Sequence, residues 1–346
     1  MLTTSTHDSK RSEDVRARLA LLTEIPERWT VAVRRWSAIN EKYRLGVWPD
    51  RNAEYLFYQT LVGAWPLEPD RAWAYMEKAA CEAKQHTNWI NRNVAYEAAL
   101  KHFVTATLND SDFTTEIERF VTPLVGAGYV NSLAQTLLKL TTPGVPDIYQ
   151  GTDLWDLSLV DPDNRRPVDF ALRQNALVDF QRYLQAGEVQ ELVIELLRVP
   201  ANGHIKLFMI QQALQHRRQN AHLFRDGGYV PLLAAGTQEK HVCAFARLLG
   251  AATAITVVPR LALGLTSGGH CAPVGDEVWE QTRLILPQAQ AGRSFRNVFT
   301  GEVLCAREDE ANASLRLAEV LGTFPVALLE KFARPAKTAT TSTHAS

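Results

Sequence analysis

Several common signatures are missing from this sequence of 346 residues. Its four cysteines, Cys81, Cys243, Cys271 and Cys305, lie far apart and show no paired spacing. This argues against a disulfide framework or a zinc site and favours a reducing compartment, so we predict a cytoplasmic protein. The formal net charge is only −1, and the balance of charge therefore gives no indication of a nucleic-acid partner.

Signals for membranes and cofactors are also absent. No apolar run is long enough to span a bilayer, and Met1 is not followed by the basic and apolar regions of a secretion signal. The glycines form no phosphate-binding or dinucleotide fingerprint, and the scattered histidines have no metal-ligand spacing. We expect no membrane partner, no cofactor and no metal.

The segment from Thr142 to Phe170 is the one around which the first part of the chain is organised. Val145 to Tyr149 is a short apolar run between Pro143-Gly144 and Gly151, which predicts a very short strand. The following loop is dense in Asp, Trp and Arg. If this is the last strand of a parallel barrel, the loop lies beyond its carboxyl end, where barrel enzymes build their sites.

A second short strand is predicted at the start of the chain, from Leu2 to Thr6, and helices separate the two strands. Ser12 precedes two acidic residues and caps a helix that carries Val15, Leu19 and Leu22 on one side. Apolar periodicity, Asp50 as a cap and Pro69 as a first helical residue predict the other helices. Their expected ranges include 27–39, 93–107, 112–121, 131–140, 173–184, 188–197 and 205–220.

The period of the apolar residues changes from Tyr229 onward. Short runs at 241–247, 253–258, 283–286 and 326–329 are separated by Gly or Pro. This pattern is typical of a small antiparallel β-sandwich, which we place at residues 227–332 after a boundary near Asp226-Gly227-Gly228. The tail, 333–346, has no apolar anchor and is expected to be disordered.

His7 and Asp8, directly after the first predicted strand, are the first candidate site. A carboxylate beside an imidazole at the mouth of a barrel can bind sugar hydroxyls and stabilise positive charge. The alternative is that Asp8 caps the following turn and His7 is an ordinary loop residue. The dipeptide alone favours this alternative, because a motif needs structural context.

The loop after the second strand is the other candidate. Asp161, Asp163 and Arg165 either form a turn with solvated charges or line a groove in which they pair with sugar hydroxyls. Taken singly, they favour the turn. Trp155 lies in the same polar loop and is predicted to be a platform for a ligand, and Tyr149 is a further aromatic side chain that can stack on a sugar ring.

Four stretches resemble the maltooligosyltrehalose synthases, which belong to the α-amylase superfamily, glycoside hydrolase family 13. They are residues 4–18, 58–66, 130–139 and 142–170. The resemblance runs in order from Met1 to about Phe332 and implies only the C-terminal portion of such an enzyme. The implied fold class is α/β plus β: the last part of a (β/α)₈ TIM barrel over residues 1–226, with a helical insertion at about 12–140, followed by the antiparallel β-sandwich.

The resemblance also implies roles for residues. Asp8 matches the third catalytic carboxylate of the superfamily, which stabilises the transition state, and His7 matches its sugar-binding neighbour. Lys10 and Arg11 belong to the same motif and are expected to contact substrate. The nucleophile and the acid/base of the family lie on earlier strands and have no positions here. Retaining chemistry needs both carboxylates, roughly 5 Å apart, so we expect the chain alone to be inactive.

The implied activity is that of a (1→4)-α-D-glucan 1-α-D-glucosylmutase, an isomerase of trehalose biosynthesis. It converts the reducing-end α-1,4 bond of a maltooligosaccharide to α,α-1,1 by intramolecular transglucosylation. The expected partners are the α-glucan substrate and the missing N-terminal barrel portion. Two alternatives stay open: another α-amylase-superfamily hydrolase or transferase, or a non-catalytic glucan-binding remnant.

Overall fold

The structure is a computed structural model that describes residues 1–265, 272–309 and 312–332. Helices occupy the chain up to Asp226, and strands follow from Gly228, where the apolar period of the sequence changes. The helices of this first part are α1 (Glu13–Ala20), α2 (Pro26–Asn40), α3 (Arg51–Ala64), α4 (Pro69–Ala83), α5 (Val94–Leu108), α6 (Ser111–Thr141), α7 (Phe170–Ala186), α8 (Val189–Arg198), α9 (His204–Gln219) and α10 (Ala221–Asp226).

Three of these helices begin at the cap or first residue that the sequence predicts. The Ser12 hydroxyl accepts a hydrogen bond from the amide of Val15, and Asp50 accepts from the amides of Asn52 and Ala53. Pro69 is the first residue of α4. The side chains of Ser12 and Asp50 satisfy amides that have no partner inside the helix, and Pro69 has no amide hydrogen that would need a partner there.

Helix α6 corrects the sequence prediction. Two helices were expected at 112–121 and 131–140, but one helix of 31 residues runs through Pro123. Its N-terminal half packs in one hydrophobic cluster through Phe113 and Leu124, and its C-terminal half packs in a second through Leu137. A Cβ at Gly128 would lie 3.3 Å from the Cβ of Arg18, so this glycine permits close packing on α1 rather than breaking the helix.

The lengths predicted for the two short strands are also wrong. Leu2 and Pro146 form a single isolated parallel bridge, in which the Leu2 amide donates to the Val145 carbonyl at 2.7 Å and the Asp147 amide donates to the Leu2 carbonyl at 2.8 Å. Of the segment from Leu2 to Thr6, only Ser5 is buried. No other strand of the described ranges pairs beside this bridge, so the ladder has nothing on which to extend.

The described residues after Gly228 form two antiparallel sheets and three short α-helices. Their elements are β1 (Gly228–Leu232), β2 (Ala234–Ala235), β3 (Val242–Leu249), β4 (Ala252–Pro259), β5 (Arg283–Leu286), β6 (Ser294–Asn297), β7 (Val303–Cys305), β8 (Arg307–Asp309), β9 (Asn312–Arg316) and β10 (Ala327–Phe332), with α11 (Ala262–Leu265), α12 (Asp276–Trp279) and α13 (Leu317–Val320). One sheet has six strands in the order β1-β3-β4-β10-β6-β7, and the other has four in the order β2-β5-β9-β8. The predicted strands at 241–247, 253–258, 283–286 and 326–329 correspond to β3, β4, β5 and β10.

Strand β4 of the six-stranded sheet is buried on both faces. Ile255 and Val257 share a hydrophobic cluster with Leu284 of the four-stranded sheet. Ala254 and Val258, on the opposite face of β4, pack in the cluster that contains residues of α6 and α9. Successive side chains of a strand point to opposite faces, so β4 packs against the four-stranded sheet on one face and against the helices on the other.

The predicted tail and one of the four cysteines fall on residues that the structure does not describe. The tail, 333–346, and Cys271 lie beyond the described residues, whereas Cys81, Cys243 and Cys305 are free thiols. Within the described ranges, no helix is both long and apolar enough to cross a membrane.

A buried cluster of charges joins α1, α6 and α9. The Lys206 ammonium of α9 lies 2.9 Å from Glu13 Oε1 and 2.9 Å from Asp14 Oδ1, and none of the three side chains is more than 4% exposed. Lys139 of α6 donates to Glu13 Oε2 at 3.3 Å, and Ser132 of α6 donates to Asp14 Oδ1 at 2.6 Å. The acidic first turn of α1 is thus enclosed by cations and donors from two other helices.

Within this cluster the acidic side chain of Glu13 and the basic side chain of Lys206 both stay charged although they are buried. Burial alone would raise the pKa of Glu13, but Lys206 and Lys139, with the Thr4 hydroxyl, hold it below its ordinary value. Burial opposes the charge on Lys206 as well, yet Asp14 and Glu13 raise its pKa above the ordinary value. Each ion depends on its partners, because an unpaired charge in this position would lack both water and counter-charge.

Lys206→Met tests this dependence. Removal of the ammonium leaves two buried carboxylates without their main counter-charge, so we expect the free energy of unfolding to fall by about 3–5 kcal/mol. The measurement is urea unfolding followed by circular dichroism. The matched control is Arg198→Met, which removes an exposed pair with Glu195 and should leave the stability close to that of the wild type. Equal effects of the two variants would contradict the role of the cluster.

Asp110, the N-cap of α6, provides a pH-dependent test. Its hydrogen bond from Lys42 is the main cause that lowers its pKa to about 2; burial opposes the shift, and Tyr43 adds to it. A depressed carboxyl pKa contributes stability above the unfolded value of about 4, and this stability is lost as pH falls towards 2. Asp110→Asn keeps a capping side chain without a titratable charge. The stability difference between wild type and this variant should therefore narrow by about 1 kcal/mol between pH 5 and pH 2.5 in urea unfolding; a constant difference would refute the assignment.

Candidate functional site

His7 and Asp8 lie in a tight turn between the Leu2 bridge and α1. The Asp8 amide donates to the Thr6 hydroxyl at 3.2 Å, and the Thr6 amide donates to the Ser9 hydroxyl at 2.9 Å. His7 Nε2 lies 3.2 Å from Asp8 Oδ2, and the two side chains are 51% and 86% exposed. The turn thus presents a carboxylate that has an imidazole beside it and remains open to a ligand.

The loop of residues 161–166 packs against this turn. The side-chain amide of Asn164 donates to the His7 carbonyl at 2.9 Å and to the Thr6 carbonyl at 3.3 Å. The Tyr149 hydroxyl donates to the Asn164 carbonyl at 3.2 Å. The structure therefore brings together the two candidate regions that are separated by more than a hundred residues of sequence.

The charged residues of this loop have different surroundings. Arg165 is exposed and forms an ion pair with Asp161 at 3.1 Å. Asp163 accepts two hydrogen bonds from Arg71 at 2.9 Å each, and its Oδ2 also accepts the Leu159 amide at 2.7 Å. Burial would raise the pKa of Asp163, but Arg71 and the Leu159 amide hold it below its ordinary value. Asp163 is thus engaged within the protein, whereas Arg165 and Asp161 face solvent.

Lys10 and Arg11 extend from the turn towards the helices. Lys10 Nζ lies 2.7 Å from Glu82 Oε2 of α4, and this hydrogen bond raises the pKa of the lysine. An Arg11 terminal nitrogen donates to the Thr60 hydroxyl at 3.0 Å, and its guanidinium lies 6.0 Å from the centre of the Tyr75 ring. Both cations therefore flank the turn while contacting the helices α3 and α4.

Trp155 precedes the loop of residues 161–166 in the chain and is half-buried. Its ring stacks on Tyr129 with centroids 4.4 Å apart, and its indole N–H donates to the Pro200 carbonyl at 2.7 Å. One ring face is therefore covered by Tyr129. The ring centre also lies 5.7 Å from the Lys206 ammonium, and Trp155 is one of the residues that line an open cleft of about 330 Å³. This cleft is lined by Gln150, Gly151, Trp155, Asp156, Ser158, Asp163, Asn164, Arg166, Pro167, Val168, Asp169 and Arg173.

The sequence prediction missed three residues of this region. Asn164 and Asp156 stand within the polar segment that was singled out, but as turn formers they carry no separate signal. Burial raises the pKa of Asp156, which borders the cleft. Arg71 lies 92 residues before its partner Asp163, and no local pattern connects them.

The site combines an exposed carboxylate, an imidazole, several cations and an aromatic edge. Such a set can bind hydroxyl groups and stabilise a developing positive charge. In the described part of the chain, no group of His, Cys, Asp and Glu is arranged to hold a metal ion.

Comparisons with known proteins point to one family. No family model matches the sequence. A protein of Mycobacterium tuberculosis (strain CDC 1551 / Oshkosh), described as a maltooligosyl trehalose synthase, is 34% identical over 336 residues, which cover 95% of this chain and 37% of that protein. The corresponding protein of strain H37Rv matches equally. This chain thus spans little more than a third of the length of these relatives.

Solved structures agree. The maltooligosyltrehalose synthase of Arthrobacter ramosus is 38% identical, with a TM-score of 0.75 over 96% of this chain and 38% of that chain. A single-residue mutant of the same enzyme gives 39% identity and a TM-score of 0.76. Similarity over nearly all of this chain, at this identity and in the same arrangement, identifies it as a homologue of a C-terminal portion of the maltooligosyltrehalose synthases.

Proposed function

We propose that the chain supplies the C-terminal part of the catalytic barrel of a maltooligosyltrehalose-forming enzyme, with the barrel part over residues 1–226 and a β-sandwich over 227–332. The observation that carries the proposal is the His7–Asp8 turn held by Asn164, with an open carboxylate. The parallel sense of the Leu2–Pro146 bridge supports the barrel, and the hydrophobic cluster shared by the two sheets supports the sandwich.

In the proposed mechanism, Asp8 stabilises positive charge on the sugar in the transition state, and His7 binds a neighbouring hydroxyl. A nucleophilic carboxylate and a proton donor, both outside this chain, complete the retaining machinery. The nucleophile captures the glycosyl group as the α-1,4 bond breaks, and the donor protonates O4 of the released glucose. The anomeric hydroxyl of that glucose then attacks the intermediate and returns its proton, which forms the α,α-1,1 bond.

This outcome requires the released glucose to stay bound while water is excluded. Arg165 and Asp161 form an ion pair in the loop of residues 161–166, the Tyr149 hydroxyl donates to Asn164 of that loop, and Trp155 lines the cleft to which Asn164 also belongs. These four residues are proposed to contact sugar, and Trp89 of the helical insertion is 54% exposed and available to do so. The unpaired cysteines of the described ranges are consistent with a reducing compartment such as the cytoplasm.

Two other functions give different products. Another α-glucan hydrolase or transferase of the superfamily would release glucose or maltose, or transfer to another chain. A non-catalytic remnant would bind glucan without turnover in any combination. Similarity to a maltooligosyltrehalose synthase at 38% identity over 96% of the chain favours the proposed function over another α-glucan hydrolase or transferase.

Complementation tests the function. We expect the chain alone to leave maltopentaose unchanged, and the chain combined with the N-terminal portion of the Arthrobacter ramosus enzyme to form a non-reducing, trehalose-ended product, detected by chromatography. Asp8→Asn in the combined enzyme should lower kcat at least about a hundredfold, because it removes charge stabilisation in the transition state. The control is Asp226→Asn, an exposed carboxylate on α10 paired with Arg225. Full activity of the Asp8 variant, or activity of the chain alone, would refute the proposal.

The sugar-retaining role is tested separately. Trp155→Ala and Arg165→Ala, in the combined enzyme, should increase hydrolysis relative to transfer by several-fold, because a loosened glucose competes less well with water. Arg182→Ala removes an exposed arginine of α7 that pairs with Asp179 and should leave the ratio unchanged. If the ratio stays constant in the first two variants, these residues do not hold the glucose.

A further inference from the structure

We infer that Arg71, Asp163 and Asn164 form a positioning chain through which helix α4 fixes the backbone of the His7–Asp8 turn. The inference rests on the proposed role of Asp8 and goes beyond it. It assigns to the helical insertion a mechanical role at the reacting end, which does not require the insertion to contact sugar.

The first link is the contact between Arg71 and Asp163. Arg71 lies in the first turn of α4 and donates to both carboxylate oxygens at 2.9 Å, and it also donates to the Leu157 carbonyl at 3.1 Å. Such a two-pronged contact fixes orientation as well as distance, and a lysine cannot reproduce it. Lys78 of the same helix donates to the Asp161 carbonyl at 2.6 Å, so α4 holds the loop at two points.

The second link is the loop itself. The carboxylate of Asp163 also accepts the Leu159 amide at 2.7 Å, and the Asp163 amide donates to the Val160 carbonyl at 3.1 Å. The side chain is only 16% exposed and both its oxygens are engaged, which leaves it little capacity for a sugar hydroxyl. These contacts define the conformation from which the next residue, Asn164, projects.

The third link is the amide of Asn164. Its nitrogen donates to the carbonyls of Thr6 and His7, the two residues that precede Asp8. Its oxygen is buried and has no hydrogen-bond partner in the structure. A reversed amide would place that oxygen against two carbonyl oxygens, so the contacts permit only one orientation. The amide therefore acts as a clamp on the backbone of the turn.

We expect the clamp to affect the catalytic rate, because catalytic groups must be held close to their productive geometry. A displacement of about 1 Å can cost a hundredfold in rate. Within the described ranges the Asp8 carboxylate forms an ion pair with His7 and interacts electrostatically with Lys10, and all three residues stand on the same turn. The backbone of the turn therefore governs where the carboxylate lies. We expect the positioning chain to affect kcat more than KM.

Hydrogen exchange tests the clamp without any need for activity. In the full chain, combined with the N-terminal portion if the chain alone aggregates, Arg71→Met should raise amide exchange in peptides covering residues 4–11 and 156–166 by about tenfold, since it removes charge-assisted hydrogen bonds. Asn164→Asp should do so for residues 4–11 with less effect on the loop, because a carboxylate cannot donate to the two carbonyls. Arg92→Met is the matched control: it removes an arginine of the same insertion whose ion pairs are with Glu97 and Glu77 and not with the loop.

Kinetics in the combined enzyme separate positioning from general stability. Measured well below the thermal midpoint of each variant, Arg71→Met and Asn164→Asp should each lower kcat about tenfold or more, with KM changed less than threefold. Their effects should not add, because both break one chain of contacts. Arg71→Lys should recover only part of the rate. Unchanged exchange of residues 4–11 in both variants would overturn the inference even if the combined enzyme were fully active. If the combined enzyme is inactive while exchange responds as expected, the clamp stands and the proposed function fails.

Discussion

The buried ion cluster around Lys206 is the constraint on which the rest of the structure depends. It places an ammonium from α9 against the two acidic residues that open α1, in a region with no access to water. Charges in such a place are tolerated only with close partners, so α1, α6 and α9 must meet in one arrangement. Hydrophobic packing alone would permit small shifts between helices. The cluster removes that freedom.

The same cluster connects the core to the candidate site. The second oxygen of Asp14 accepts the Asp156 amide at 2.7 Å, and the Ser12 amide donates to the Ser158 carbonyl at 3.0 Å. The first turn of α1 therefore anchors one end of the loop that leads to Asn164. Helix α4 anchors the other end through Arg71. With both ends fixed, the loop can act as a rigid support for the His7–Asp8 turn, which lies just before α1 in the chain.

Local chemistry predicted much of this fold, because caps and apolar periods depend on neighbouring residues. Ser12, Asp50 and Pro69 mark helix starts correctly for that reason, and the change of period near Gly228 marks where strands begin. Helix α6 was mispredicted because its continuity comes from packing on two clusters, which outweighs the proline and glycines in its sequence. Pairings between distant residues left no local trace.

The site shows the same division. His7, Asp8 and the loop from Asp161 to Arg165 could be singled out because polar residues follow short apolar runs, and the resemblance of motifs gave them roles. Their mutual contact depends on Asn164, whose type alone indicates only a turn. The support from Arg71 depends on the fold of α4, since its partner lies 92 residues away. Residue types in the sequence therefore indicated the chemistry of the site. The contacts of Asn164 and Arg71 that hold it in place could be seen only in the folded structure.

The coupling between Lys206 and Asp14 is the most direct measure of how much the buried ion cluster contributes to the fold. A double-mutant cycle with Lys206→Met and Asp14→Asn, measured by urea unfolding of the full chain, gives the interaction energy between the two side chains independently of other losses. We predict a coupling of about 2–3 kcal/mol. Either substitution alone breaks the contact between Lys206 and Asp14, and the second substitution cannot break it again. Additive effects, within about 0.5 kcal/mol, would contradict the central place given to the buried ion cluster.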